Sequence, residues 1–156
     1  VAFIIDENLD VAAPASTVWE VLTDFPRYGE WNPFVVACAS TLEVGSAIDM
    51  RVHVLDAFAQ PQRETIFEHV PGQRFCYGLA GDALGALSSR RSHEVTSRGD
   101  RSAIYRSHFE LSGWLAPLVR ALFGRKLERG FHEMTRAIGK RAEALEREHP
   151  AAAGVG

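Results

Sequence analysis

The sequence predicts a single α+β domain, and three observations carry that prediction. One extended segment with a short helical region opens the chain. A run of hairpins follows from Phe34 to Gly113, and a strongly striped helix closes it. At 156 residues, 46% hydrophobic and 24% charged, the chain has the composition of a globular domain that buries roughly 70% of its unfolded surface. No repeat or linker divides it, so one domain over 1–148 and a disordered tail over 149–156 are expected.

The opening segment "FIIDENLDVAA" reads as the first strand and ends at Pro14. "ASTVWEVLTD" then has helical spacing, with Val18, Val21 and Leu22 on one side and Pro14 and Ser16 as start signals. In "FPRYGEWNPF", Pro26 and Pro33 lack backbone donors and Gly29 loosens the chain, so only a second short helical piece fits there. Phe25 and Trp31 read as core residues that pin it.

Six further strands are expected between "EVGS", "AFAQPQ", "VPGQ", "GDALGA" and "SRGDR". "AIDMRVHV" alternates most clearly: Ile48, Met50, Val52 and Val54 share one face, and Asp49, Arg51 and His53 the other. From Gly113 to about Glu148 the pattern turns helical. At about 100° per residue, Phe123, Leu127, Phe131, Met134, Ile138 and Leu145 fall near one line, with a bend or restart expected near Gly124. Gly124 and Gly130 flank the stripe; weak helix or close packing and room for a ligand are both open readings.

Composition also excludes. Seventeen Lys and Arg against 20 Asp and Glu give a net charge of −3, with no electrostatic footprint for nucleic acid or an anionic membrane. No apolar run is long enough for a membrane span, and neither a signal core nor a basic leader opens the chain, so a cytoplasmic location is expected. Cys38 and Cys76 are not in C-x-x-C spacing and read as buried thiols. The six histidines lack ligand spacing, and no nucleotide, zinc-protease or serine-hydrolase motif occurs, so neither metal nor cofactor is expected.

The last hairpin places candidate chemistry. A two-residue Gly99-Asp100 turn pairs Val95 with Ile104, whereas a three-residue Arg98-Gly99-Asp100 loop pairs Val95 with Ala103, His93 with Tyr105 and Arg91 with Ser107. The second gathers most apolar residues on one face, and a one-residue slip would reverse every side chain, so it is preferred. Arg91, His93 and Tyr105 then point inward. A buried arginine needs an acceptor, a wet cavity or an anion. Either Arg91 and His93 meet backbone carbonyls or a wet rim, or they face a ligand. In the second case Arg91 holds a carboxylate or polarises a carbonyl, while His93 and Tyr105 move protons.

"VAAPASTVWEVLTDFPRYGEWNPFV" resembles the opening signature of polyketide cyclase/dehydrase-like members of the START and birch-pollen-allergen (SRPBCC) superfamily. "HFELSGWLAPL" and "LERGFHEMTRAIGKRAEAL" resemble its last strand and C-terminal helix, so the likeness spans nearly the whole chain. It implies a helix-grip fold: a curved seven-stranded antiparallel sheet around a long C-terminal helix, two short helical pieces after strand 1, and a deep cavity. Carried over, that cavity would be lined by Trp31, Phe34, Tyr77, Arg91, His93, Tyr105, Phe109, Phe123, Phe131 and Met134, with Tyr28 and Asn32 at its rim. Many relatives carry an acid where this chain has Phe109, which leaves Arg91 without an obvious partner there.

The functional expectation is binding of a small, largely apolar, lipid- or polyketide-like molecule with an anionic or carbonyl end. The alternatives are a cyclase or dehydratase with His93, Tyr105 and Arg91 as its catalytic groups, and a protein-interaction module. The oligomeric state is not legible.

Overall fold

The computed structural model describes residues 2–149. Strands β1 (Phe3–Val11), β2 (Val35–Ser40), β3 (Ala47–Leu55), β4 (Phe58–Val70), β5 (Arg74–Gly78), β6 (Ser88–Ser97) and β7 (Ala103–Ser112) form one antiparallel sheet in the order β1-β7-β6-β5-β4-β3-β2. Helix α1 (Ala15–Thr23), a 3₁₀ turn (Phe25–Arg27) and helix α2 (Tyr28–Trp31) connect β1 to β2, and helix α3 (Ala116–Glu148) ends the fold. This is the helix-grip architecture.

Helix α1 buries Val18, Val21 and Leu22, the side its spacing marks as apolar. Phe25 meets Phe75 edge-on at 6.1 Å between ring centres, which holds the 3₁₀ turn against β5. Inward side chains of the sheet alternate with solvated ones as a one-faced antiparallel sheet requires: Arg91, His93 and Val95 on β6 and Tyr105, Ser107, Phe109 and Leu111 on β7 are buried.

Three sequence expectations need correction. The β6–β7 register pairs Val95 with Tyr105, His93 with Ser107 and Arg91 with Phe109. The loop therefore spans five residues, 98–102, and the Arg98 amide donates to the Ser102 carbonyl at 2.9 Å. The slip from the expected three-residue loop is two residues, so both strands keep their faces.

The break expected at "AFAQPQ" is narrower than the stretch: the turn takes only Asp56 and Ala57, and β4 begins at Phe58 and carries Pro61 within it. Pro61 pairs with Arg51 on β3, whereas pairing with β5 starts only at Thr65. The missing N–H of proline therefore falls where β4 has no β5 neighbour, as an edge position permits.

Helix α3 does not restart at Gly124 but runs unbroken over 33 residues. A Cβ on Gly124 would make only ordinary contacts, whereas one on Gly130 would collide with the Phe34 ring. Gly130 thus lets the sheet-side aromatic press on the helix backbone. The amide of His149 still bonds the Leu145 carbonyl at 2.8 Å; the rest of the expected tail, from 150 onward, lies outside the described residues.

Candidate functional site

A cavity of about 230 Å³ lies between the sheet and the first half of α3. An engineered apolar cavity of about 150 Å³ admits benzene, so this space suits a molecule of one or two rings or a short chain. Phe34, Met50, Phe109, Phe123, Leu127 and Phe131 give most of its wall an apolar character. The polar groups sit on three strands: Gln60, Gln62 and Glu64 on β4, Tyr77 on β5, and Ser89 and Arg91 on β6. β5 is too short to pair with the first half of β4, and the irregular segment from Leu79 to Leu87 borders the cavity at that gap.

Arg91 is 3% exposed. One Nη donates to Ser107 Oγ and the other lies 3.7 Å from Met134 Sδ. Its guanidinium covers the Phe131 ring at 4.2 Å, a cation–π contact strengthened by desolvation. A guanidinium has five N–H donors, and these two bonds leave others for a guest in the cavity that Arg91 lines.

Glu64 shares that wall. Ser89 Oγ donates to its Oε1 at 3.3 Å, and no ion pair joins it to Arg91. Burial raises the Glu64 pKa, against the opposing effects of the Ser89 hydrogen bond and the Arg91 charge. A proton is therefore held more readily here than on a solvated glutamate. Counting back in twos from the buried Ile66 puts Glu64, Gln62 and Gln60 on the inner face. That signal lay in the sequence, but the expected turn at "AFAQPQ" hid it.

Behind the cavity wall three rings form a polar chain. Tyr77 Oη lies 3.3 Å from His93 Nε2, and His93 Nδ1 lies 2.6 Å from Tyr105 Oη. The His93 ring also stacks on Phe75 at 4.8 Å. Burial holds the His93 pKa well below its ordinary value, and the Arg91 charge pushes in the same direction. Burial raises both tyrosines, with Arg91 opposing. All three groups are thus neutral at physiological pH.

Of the residues expected at the cavity, Phe34, Tyr77, Arg91, Phe109, Phe123 and Phe131 line it. Trp31, His93, Tyr105 and Met134 do not. Trp31 packs edge-on against Tyr28 at 5.1 Å, Met134 sits behind Arg91, His93 meets the cavity-lining Tyr77, and Tyr105 bonds His93 and Ser107, the partner of Arg91. Nor do Tyr28 and Asn32 form a rim. Tyr28 is buried and its hydroxyl donates to the Leu22 carbonyl at 2.5 Å. Asn32 Oδ1 accepts from the amides of Phe34 and Val35 at 3.0 and 2.9 Å, which fixes the turn into β2. The Tyr28 hydroxyl and Asn32 Oδ1 are thus spent on backbone groups, while Asn32 Nδ2 is buried without a hydrogen-bond partner among the described residues.

Among the described residues no cluster of His, Cys, Asp or Glu has metal-binding geometry, and no helix is long and apolar enough to cross a membrane.

Comparison with known proteins agrees with this architecture. The Zhui aromatase/cyclase from a Streptomyces species superposes with a TM-score of 0.76 at 18% identity, covering 99% of each chain. A norcoclaurine synthase from Thalictrum flavum, in complex with dopamine and hydroxybenzaldehyde, gives 0.68 at 20% identity over 97% of this chain and 90% of the other. A START superfamily protein from Mycobacterium smegmatis gives 0.68 at 18% identity over 91% and 98%. No curated protein matches the sequence. The family described as polyketide cyclase/dehydrase and lipid transport matches residues 3–142, and the chain belongs to that family.

Proposed function

We propose that the protein binds a small, largely apolar molecule, lipid- or polyketide-like, whose anionic or carbonyl oxygen meets Arg91. One observation carries this reading: a buried guanidinium with donors to spare borders a cavity that is otherwise mainly apolar. Apolar walls with a few convergent polar groups are the usual build of a small-molecule site. Glu64, Gln60 and Gln62 add hydrogen-bonding groups on the same wall and favour a ligand with more than one oxygen. Native mass spectrometry after gentle purification tests the proposal, through an apolar ligand retained by the wild type and lost from Arg91→Ala. Retention of the same ligand by both would remove Arg91 from the reading.

The chain Tyr77–His93–Tyr105 favours a second reading, a cyclase or dehydratase. In it Tyr77 touches the substrate and His93 and Tyr105 position its hydroxyl, while Glu64 gives or takes a proton. Turnover on a polyketide-like carbonyl compound should then fall by orders of magnitude in Tyr77→Phe, with ligand affinity preserved. Unchanged turnover would remove the proton-transfer role and leave a binding protein.

A further inference from the structure

The outer side of the cavity mouth is apolar. Leu84, Trp114, Leu118 and Leu122 are 79%, 65%, 54% and 62% exposed, and Phe58, at the β3–β4 turn, is 57% exposed. Two bonds tie the elements that carry them. Trp114 Nε1 donates to the Leu84 carbonyl at 3.1 Å, and Lys126 on α3 reaches Asp56 in the β3–β4 turn at 3.5 Å. Leu118 and Leu122 alternate along α3 with Val119 and Phe123, which line the cavity.

Charge is distributed to match. Helix α3 holds eight of the 17 Lys and Arg and five of the 20 Asp and Glu, a net +3 in a chain whose total is −3. At about 100° per residue, Arg125, Arg129, Arg136 and Lys140 fall within about 60° of the line through Leu118 and Leu122. All four are exposed, and none is in an ion pair among the described residues. Glu133 and Glu143 fall in the same window, so the outward face of α3 begins apolar beside the cavity and continues mixed but net basic. The whole-chain charge had concealed it.

We infer that this face docks the protein on an anionic lipid surface, with Leu84, Trp114, Leu118 and Leu122 entering the interface and Arg125 and Arg129 meeting headgroups. A helix with Leu beside a basic stripe, preceded by an exposed Trp, suits that boundary. The apolar side chains also project from separate elements, a loop, a helix start and a hairpin turn. A fluid bilayer accepts such scattered insertions without a matching shape, whereas a protein partner must supply one. Docking here would set the cavity mouth against an apolar phase, yet the inference does not depend on what the cavity holds.

The test is sedimentation with phosphatidylcholine vesicles containing roughly a third phosphatidylglycerol, against pure phosphatidylcholine, at low and high salt. Binding to the anionic vesicles only, weakened by salt, is expected. The double variant Arg125→Glu/Arg129→Glu and, separately, Leu118→Asp should each lower it at least tenfold while the circular dichroism spectrum stays unchanged. A blue shift of fluorescence on binding should disappear in Trp114→Phe. Arg91→Ala should bind vesicles like the wild type, which separates failure of docking from failure of the ligand reading. Absence of binding, or equal binding to both vesicle types, would overturn the inference. So would a stable dimer that Leu118→Asp dissociates, since a second copy would then cover the face.

Discussion

Glu64 and Arg91 border one cavity from β4 and β6 without forming an ion pair. Arg91 spends its bonds on Ser107 and Met134, and Glu64 on Ser89. An acid and a base held apart on one wall can each address a guest, which a closed salt bridge could not.

Replacing Arg91 tests the cationic half of that arrangement. A charge-assisted hydrogen bond is worth about 1.5–3 kcal/mol, so Arg91→Met should weaken an anionic ligand roughly tenfold to a hundredfold. A neutral analogue of the same shape should lose much less. Isothermal titration of the two ligands against both proteins checks this, and equal losses would mean that Arg91 acts only by packing on Phe131.

The Glu64 half is read through pH. A raised pKa means that the native state holds the proton more tightly than the unfolded chain. The group's contribution is full below its unfolded value, near 4.5, and is lost as pH rises through the folded value. Glu64→Gln should therefore melt higher than the wild type at neutral pH. The two curves should converge below about pH 4. Thermal melts across that range decide it, and a constant difference would refute the assignment.

His93 has the opposite sign. Its folded pKa lies below the ordinary 6.5, so its contribution is present above that value and is lost as pH falls. Between about pH 7.5 and 5.5 the wild type should lose unfolding free energy in urea titrations, and His93→Gln should lose less.

Two glycines on α3 should respond in opposite directions to the same change. Gly130→Ala would drive a methyl into the Phe34 ring, an overpacking that costs about 1–3 kcal/mol. Gly124→Ala meets Arg120 Cγ at 3.4 Å and Phe3 Cζ at 3.7 Å and should gain up to about 1 kcal/mol of helix propensity. Denaturant midpoints with unchanged slopes would verify both.

Much of this was legible from period and punctuation. The parity of β6 and β7 brought Arg91, His93 and Tyr105 to the inner face although the loop is two residues longer than expected, because parity survives a slip of two. What stayed hidden depended on distant neighbours. Pro61 reads as a breaker until β5 proves too short to reach it, and with it went Glu64. Tyr28 and Asn32 look like free polar groups until the carbonyl and amides they bond are placed. Leu118 and Leu122 lie off the buried stripe, but only the fold shows that they flank a cavity mouth.

The five-residue loop at 98–102 lies at the α1 end of the sheet, where Arg98 meets Asp10 at 3.5 Å and Ala103 pairs with Val11. The cavity mouth lies at the other end of β6 and β7. That loop is accordingly the place to insert a fluorophore, an affinity tag or a tether: a reporter grafted there would leave both the guest chamber and the basic helix face free to be assayed.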